Sequence, residues 1–371
     1  MNRVLYIDYL RNFANITRCF IHASVPYMVT VAPIWPVDDG GGWFFDFMTF
    51  ELHLYVMELF FVISGFFFAK ELFSHSRKKV IKNRIKRIVI PFSLGIVIIV
   101  PIVLSCFHLS QLPTGQALNF EYLKQSYIAG WEMGLDNFFP TGHLWFLYYL
   151  IFFYTIGIVL KNSILSIKLI SLSRIMILGI FISIICMAFM NRWIVDNPIT
   201  LIPELPSLIH YFMFFLSGML LFKSKDILDQ IKTFAKRNIF IGCIMGLLAI
   251  APQPFFNNQD YIYYSCIETF ALISCNISIY FLVFGFWGVF ANLNLKESTT
   301  IRYLTDSSYW VYLSNMPIVM LIQISLLNVD ISIYLKFIIS FFGAFLLSML
   351  SYEYLVRYTF VGGILNKKRN R

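Results

Sequence analysis

Long apolar runs recur along the whole chain, and they restrict its fold more than any other feature. Each run holds about 20 residues, the length that an α-helix needs to cross the hydrocarbon core of a bilayer. Hydrophobic residues make up 58% of the 371 residues and charged residues only 13%, and the mean hydropathy of +0.72 is too high for a water-soluble domain. Only helices and closed barrels span membranes. The sequence therefore predicts an all-α polytopic integral membrane protein.

About ten transmembrane helices are predicted, and they form one domain over residues 1–371. The spans lie near 4–29, 44–70, 88–108, 142–160, 175–195, 205–223, 239–251, 262–290, 306–327 and 330–353. The weakest are 175–195 and 239–251. Because the second is short for a full crossing, a count one lower or one higher stays open.

Basic side chains predict how these helices are oriented. Lys and Arg concentrate in the cytoplasmic loops of membrane proteins. With the N-terminus in the cytoplasm, the basic segments at 77–87, 161–174 and 223–237 all lie inside, whereas the opposite loops hold only Lys124 and Arg192. We therefore expect both termini to be cytoplasmic. The net charge of +9 then reflects topology and not a nucleic-acid-binding surface.

Five polar residues form a stripe along the first apolar segment. They are Asp8, Arg11, Asn15, Arg18 and His22. At about 100° per residue they fall within roughly 80° of one another around a helix, and Arg11 and His22 are separated by about 16 Å of rise. Ionisable groups inside a membrane helix are costly and normally face an internal cavity. The first helix is therefore predicted to form one wall of a polar channel or an active site.

Two arginines, Arg84 and Arg87, lie one helical turn apart just before Pro91 and the third predicted span. An arginine pair at the cytoplasmic start of a helix can bind phosphates through paired hydrogen bonds. Ordinary inside-facing charge is the alternative, and it is the preferred interpretation for the lysines of the same segment.

The first three predicted helices resemble those of the acyltransferase family 3 membrane proteins. Arg11 and His22 resemble the family's first-helix pattern of Arg, ten residues and then His. The segment 60–66 resembles its Phe-Phe-x-x-Ser-Gly-Phe block, and Arg84 with Arg87 resembles its Arg-x-x-Arg motif ahead of a proline.

Later segments extend this resemblance over nearly the whole chain. GHLWFLYYL at 142–150 resembles the family's fourth-helix block. SYWVYLSNMPIV at 308–319 and YEYLVRYTFVGGILN at 352–366 resemble its last two helices, especially in the branch of the glucan succinyltransferases of the OpgC type. The chain departs from the family at Asn315, where many relatives carry His, and at Glu58, where Pro or Gln is usual.

The resemblance implies a reaction that crosses the bacterial cytoplasmic (inner) membrane. An acyl group, usually acetyl and in one branch succinyl, passes from cytoplasmic acyl-CoA to a hydroxyl on the outer side, commonly of a sugar. Acyl-CoA would be the donor substrate, and no permanently bound cofactor is expected. A periplasmic glucan, lipopolysaccharide O-antigen, capsule and peptidoglycan are all compatible acceptors. The oligomeric state is not indicated.

Roles for the catalytic candidates follow from that reaction. His22 is expected to act as general base, since an imidazole titrates near neutral pH, with an acyl-histidine intermediate as the alternative. Arg11 would stabilise developing negative charge or hold the acyl-CoA arm. Asp8 and Glu58 are candidates to orient or balance Arg11 and Arg18, because buried charges need partners.

The remaining candidates concern substrate binding. Arg84 and Arg87 would bind the CoA phosphates. Arg18 is the cationic candidate for the free carboxylate of a succinyl group. Further substrate candidates, all on predicted helices two and four, are His53, Glu58, His143 and Trp145. His53 either lines the acceptor cavity or pairs with Asp46, and Trp145 either anchors the helix at the interface or stacks on a sugar ring.

Two other functional classes are less consistent with the sequence. A transporter of a glycan or lipid-linked sugar predicts a symmetric repeat, which is not evident. A receptor or scaffold gives no reason for the spacing of Arg11 and His22. The six cysteines show no metal-binding spacing, and no phosphate-binding loop of the NTPase type occurs.

Overall fold

The computed structural model describes residues 4–30, 35–38, 40–111, 120–136, 140–166, 171–190, 197–252 and 264–365. Within these ranges all regular secondary structure is helical. This result confirms the predicted all-α class.

Fourteen α-helices follow one another along the described part of the chain. They are α1 (Leu5–Ser24), α2 (Trp43–Ser74), α3 (Arg77–Arg84), α4 (Ile90–Ser110), α5 (Phe120–Asp136), α6 (Trp145–Val159), α7 (Lys161–Ser166), α8 (Leu172–Phe189), α9 (Leu205–Lys223), α10 (Lys225–Ile250), α11 (Tyr264–Asn292), α12 (Thr299–Leu326), α13 (Ile333–Ser351) and α14 (Phe360–Leu365). Short π-helical turns at Ile85–Val89 and Tyr352–Val356 follow α3 and α13, and 3₁₀ turns at Val25–Tyr27 and Gly142–Leu144 follow α1 and precede α6.

Nine helical segments in the described ranges are long and apolar enough to cross a membrane. They are Trp43–Ser74, Arg77–Ser110, Gly142–Val159, Leu172–Phe189, Leu205–Lys223, Lys225–Ile250, Tyr264–Asn292, Thr299–Leu326 and Ile333–Val356. The protein is thus a multi-pass membrane protein. The predicted helix at 4–29 is not among the nine, because Asp8, Arg11 and Arg18 lower its hydropathy.

Helix α1 nevertheless runs through the interior, alongside a membrane-spanning helix. The Asn12 side-chain amide donates hydrogen bonds to the Ile301 carbonyl and the Thr305 hydroxyl. The Arg18 guanidinium donates to the Tyr312 carbonyl, and the Gln323 side-chain amide donates to the His22 carbonyl. Both sets of residue numbers increase in the same direction, so α1 and α12 run in the same direction from Asn12 to His22. A helix of 20 residues is about 30 Å long, which matches the hydrocarbon core. With α1 added to the nine apolar segments, the helices agree with the predicted count.

The helix that contains the predicted span at 239–251 extends beyond it, because α10 begins at Lys225 and has 26 residues. Its first half carries Lys232, Lys236 and Arg237, which interrupt the apolar run without interrupting the helix. Long basic side chains keep their charged ends in water while their stems cover apolar surface. The hydropathy of the sequence therefore indicates only the apolar part of such a helix and does not show where the helix begins.

Helix α1 lies at the centre of the bundle and packs against α2, α11, α12 and α13. Its charged and amide side chains point inward, since Asp8, Asn12, Asn15 and Arg18 are all buried. Three of the five stripe residues, Asp8, Asn15 and Arg18, are thus buried within protein, while Arg11 and His22 are half-buried, which explains how a helix of this composition is tolerated in a membrane.

The chain that leaves α1 folds back over its C-terminal end. The backbone N–H groups of Val29 and Thr30 donate to the Asp46 carboxylate at 2.7 and 2.8 Å. A buried ion pair between Lys336 and Asp38, at 2.6 Å, holds the same segment against α13. These contacts fix the position of the last turn of α1, which carries His22.

Candidate active site

His22 lies in the last turn of α1, and its backbone is held from α12. The Gln323 side-chain amide donates to the carbonyls of His22 and Ala23, at 2.9 and 3.2 Å. The Gln323 carbonyl oxygen accepts from the indole N–H of Trp35 at 3.2 Å, and the Trp35 ring centre lies 6.1 Å from that of His22. The buried Nδ1 of His22 has no hydrogen-bond partner, so the imidazole has a nitrogen available to a ligand.

A second histidine, His143, reaches the same region from the turn that precedes α6. Its Nε2 lies 3.2 Å from the carbonyl oxygen of Leu313, and the Tyr312 hydroxyl donates to the His143 carbonyl at 2.6 Å. A carbonyl only accepts, so Nε2 carries the proton of the neutral ring. The buried Nδ1 is then an acceptor, and it has no partner.

Arg18 lies on α1 one turn before His22. Its guanidinium donates to Asn15 Oδ1 at 3.0 Å and to the Tyr312 carbonyl at 3.4 Å, and it lies 5.1 Å from the centre of the Tyr312 ring. None of the ion pairs found in the described residues includes Arg18. Arg18 is therefore a buried cation, and the groups that it contacts among the described residues are all uncharged.

Four side chains surround the His22 imidazole. Asn315 is a hydrogen-bonding neighbour of the imidazole, and Arg18, His53 and His143 are its charged or titratable neighbours. We call the group formed by Arg18, His22, His53, His143 and Asn315 the histidine pocket. It brings together four predicted site residues from α1, α2 and the start of α6.

Arg11 belongs to a different group near the other end of α1. Its guanidinium lies 5.1 Å from the ring centre of Phe67, and it is a charged neighbour of Tyr154, as is Arg84. The rise along α1 from Arg11 to His22 is about 16 Å. Arg11 and His22 thus act at opposite ends of the polar stripe.

Arg84 is held by aromatic rings and by a carboxylate. It forms a salt bridge with Glu71, and its guanidinium lies 4.6 Å from the Tyr154 ring and 5.5 Å from the Phe68 ring. Asn83 donates to the other oxygen of Glu71 at 2.6 Å. We call Arg11, Glu71, Arg84 and Tyr154 the arginine cluster.

Arg87 differs from Arg84 in its surroundings, although the two were predicted to act as an equal pair. The π-helical turn Ile85–Val89 lies between α3 and α4, and in it Arg87 is exposed while its backbone carbonyl accepts from the Tyr309 hydroxyl at 2.7 Å. Arg87 can approach a phosphate without giving up a carboxylate, whereas Arg84 already binds Glu71.

Glu58 lies away from Arg18, which it was predicted to balance. It is buried on α2, with Oε1 3.4 Å from His210 Nε2 on α9. The other nitrogen of His210 lies 3.0 Å from Ser183 Oγ, which in turn lies 3.3 Å from the Tyr280 hydroxyl. This buried network connects α2, α8, α9 and α11. Sequence reasoning missed His210, although an ionisable residue inside an apolar span was a usable signal.

Two further candidates are also placed away from the histidine pocket. Asp8 is in the first turn of α1, about 21 Å of rise from His22, so its predicted role concerns Arg11 and not the reacting atoms. Trp145 is 3% exposed and packs against Phe61 and Tyr211, with ring centres 5.9 and 5.0 Å away. Its ring is covered by protein, which leaves no face for a sugar.

Both oxygens of Asp46 accept from backbone N–H groups after α1, those of Val29 and Thr30. His53 is a neighbour of His22, and its two predicted roles, lining a substrate cavity or pairing with Asp46, both stay predictions. The structure also reveals Gln323 and Tyr312 as positioning residues. No local sequence pattern indicated them, because their contacts lie some 170 to 300 residues away along the chain.

Comparison with known proteins assigns the chain to a family. The acyltransferase 3 family, described as an acyltransferase domain, matches residues 4–353. No curated protein and no solved structure gives a significant match. The match spans both the arginine cluster and the histidine pocket, and the chain therefore belongs to the acyltransferase 3 family of membrane acyltransferases.

Proposed function

We propose that the protein transfers an acyl group from cytoplasmic acyl-CoA to a hydroxyl group of an extracytoplasmic glycan, in the bacterial cytoplasmic membrane. The observation that carries the proposal is the arrangement along α1. An arginine cluster lies near its N-terminal end and a histidine with a free nitrogen lies at its C-terminal end, about 16 Å away. This arrangement suits a donor whose charged head and reactive thioester lie far apart.

The donor would enter from the side of the arginine cluster. CoA carries several negative charges, and the exposed Arg87 and the basic residues of α3 provide a matching surface. Arg11, which is not fully buried, would guide the arm of the donor between the helices. Arg84 would contribute indirectly, because its salt bridge with Glu71 positions the start of the third crossing.

The chemical step needs one base and no change in oxidation state. The His22 imidazole takes the proton from the acceptor hydroxyl while its oxygen attacks the thioester carbonyl. The new acyl–oxygen bond forms, the acyl–sulfur bond breaks, and the proton passes from the imidazolium to the CoA thiolate. The free Nδ1 of His143 would accept a hydrogen bond from a second hydroxyl of the acceptor, which orients the sugar.

An isotope-transfer experiment tests this proposal. Membranes with the wild type, His22→Gln or His108→Gln would receive labelled acetyl-CoA or succinyl-CoA, and surface glycans would be analysed by mass spectrometry. His108 is the matched control, since its Nδ1 contacts Ser126 on α5, outside the histidine pocket. We expect label with the wild type and the control only. Equal labelling by folded His22→Gln would contradict the role of His22, and no labelling with either donor would contradict the donor class.

A further inference from the structure

Arg18 carries a buried charge that the chemical step described above does not use. It is 4% exposed, and no carboxylate among the described residues forms an ion pair with it. Its terminal nitrogens donate to Asn15 Oδ1 and to the Tyr312 carbonyl, whereas its Nε has no hydrogen-bond partner in the described part of the chain. Burying a charge is costly unless it is paired. The guanidinium therefore keeps one nitrogen free and a positive charge that the described residues do not neutralise.

This charge acts on the reacting end of the histidine pocket. Arg18 is a charged neighbour of both His22 and His143. On α1 it precedes His22 by one turn, about 6 Å of rise, on the side from which the donor arm would arrive in the proposed function. A thioester carbonyl placed against the imidazole would therefore have the guanidinium of Arg18 as its nearest cation on α1.

The proposed reaction passes through a negatively charged oxygen that needs such a cation. When the hydroxyl oxygen bonds to the thioester carbon, an electron pair of the carbonyl moves onto its oxygen, and it returns when the acyl–sulfur bond breaks. A hydrogen-bond donor aimed at this oxygen stabilises the transition state more than the neutral thioester. Arg11 is the residue that the sequence suggests for this task, but about 16 Å of helix rise separates it from His22.

We propose that Arg18 is a catalytic residue whose Nε–H donates to the carbonyl oxygen of the thioester and stabilises the oxyanion that forms there. This inference rests on the proposed function and adds a second catalytic residue to it. One free N–H fits one oxygen atom, and a charge-assisted hydrogen bond in a dry site is stronger than a neutral one. His22 becomes a cation when it takes the proton, and an oxyanion bound to Arg18 offsets the repulsion between the two positive charges.

Separate measurements of transfer rate and of donor binding test the inference. The wild type, Arg18→Gln, Arg18→Lys and the control Cys19→Ala would be compared for label transfer in membranes at saturating donor. Acetyl-CoA and succinyl-CoA would also be titrated into each purified full-length protein. We expect Arg18→Gln to slow transfer about 10²- to 10³-fold, the loss typical of a missing oxyanion donor, and to bind both donors as the wild type does. Arg18→Lys keeps the charge without the Nε–H and should be about tenfold slower than the wild type, and Cys19→Ala should transfer at the full rate.

Thermal unfolding without ligand distinguishes catalysis from a purely structural role. Because Arg18→Gln removes an unpaired buried charge, we expect it to unfold at a temperature no lower than that of the wild type. An arginine that served only to hold α1 against α12 would stabilise the protein and, through it, the whole pocket. A lower unfolding temperature for Arg18→Gln together with weaker binding of both donors would therefore contradict the inference.

The outcomes separate this inference from the function on which it rests. If the wild type transfers label from neither donor, the proposed function itself is wrong. If the wild type transfers label and folded Arg18→Gln does so at the same rate, the oxyanion assignment is wrong and the proposed function stands. Weaker binding of succinyl-CoA alone would show that Arg18 binds a carboxylate, which also overturns the assignment. If Arg18→Gln does not fold, Arg18→Lys decides, because the wild-type rate in that variant would show that the Nε–H is not needed.

Discussion

His22 and His143 both have an unpartnered ring nitrogen in the histidine pocket, but only His143 has its proton fixed by a backbone carbonyl. The Leu313 carbonyl keeps Nε2 of His143 protonated and so fixes Nδ1 as the acceptor, the nitrogen that we assign to a hydroxyl of the acceptor substrate. His22 has a side-chain amide, Asn315, as its neighbour, and an amide adapts to either protonation state of the imidazole. The two histidines are thus suited to different tasks.

We therefore expect different kinetic effects from the two histidines. His22→Gln should lower kcat by about 10² to 10⁴, the range that a general base contributes. His143→Phe should mainly raise the KM for the acceptor, by about tenfold for one lost hydrogen bond. Initial rates at varied acceptor concentration measure both effects. A larger loss of kcat in His143→Phe than in His22→Gln would reverse the two roles.

Substitutions of Arg84 and Arg87 should also differ in their effects on donor binding and on stability. Arg87→Ala is expected to raise the KM for acyl-CoA about three- to tenfold and leave thermal stability unchanged, because the side chain is exposed and makes no recorded ion pair. Arg84→Ala leaves Glu71 without its cation and should cost about 1–3 kcal/mol of stability. Steady-state kinetics and thermal unfolding in detergent check the two predictions. Equal effects of both variants on KM, together with equal thermal stability, would show that Arg84 and Arg87 contribute equally to donor binding.

At the scale of elements, α2 and α9 make the closest helix contact in which glycine is required. Gly65 of α2 lies against the backbone carbonyl of Phe215, and Gly218 of α9 lies against that of Val62. A Cβ at either position would lie well inside van der Waals distance of a backbone oxygen, which cannot rotate away. Small residues at such crossings allow helices to approach in membranes.

Gly65→Ala is therefore expected to destabilise the protein by about 3 kcal/mol or more, since the helices must separate. Gly343→Ala on α13 is the matched control, because its Cβ would meet only the flexible end of Ile322 at 3.3 Å. Thermal unfolding in detergent micelles should show a large decrease for Gly65→Ala and almost none for the control. Equal stability of the two variants would show that the crossing is not tightly packed.

The buried pair of Glu58 and His210 joins α2 to α9 next to that crossing. Removing one partner leaves a buried polar group or charge, so His210→Phe should lose about 3–5 kcal/mol of stability. The double variant Glu58→Leu with His210→Phe should recover much of this loss. A double-mutant cycle measured by chemical unfolding gives the coupling. A folded double variant without acyl transfer would instead show that the pair takes part in the reaction.

At the scale of the whole molecule, the direction of the bundle determines from which side each substrate comes. Helices α1 and α12 are parallel, and the arginine cluster and the histidine pocket lie towards opposite ends of α1. If the basic loops are cytoplasmic, the arginine cluster faces the donor and the histidine pocket faces the acceptor. The direction of acyl transfer thus depends on topology.

Cysteine labelling tests this topology. In a variant without the six native cysteines, Ser76→Cys after α2 should react with a membrane-impermeant maleimide only after cell lysis. Thr200→Cys before α9 should react in intact cells. Both residues are exposed, so a difference in labelling reports the side of the membrane and not burial. Labelling of Ser76→Cys in intact cells would show that the bundle has the opposite orientation in the membrane. The donor would then enter from the side opposite to the one proposed.

The fold class, most of the long apolar helices and the residues that form the polar stripe could be predicted from the sequence alone. Apolar runs and a helical period are local properties, so Arg11, Arg18 and His22 could be placed on one face of α1 without any tertiary information. The same locality explains the error at α10, where basic residues concealed the first half of a continuous helix.

Which polar residues contact one another depends on how the helices pack. This packing placed Glu58 against His210, covered Trp145 with aromatic rings, bound Arg84 to Glu71 and brought His143 beside His22. Each of these pairings joins different helices, and helical periodicity gives the face of a residue on its own helix but not the helix that covers it. The burial of Arg18 without a carboxylate partner among the described residues has the same origin, since it depends on every helix packed around it.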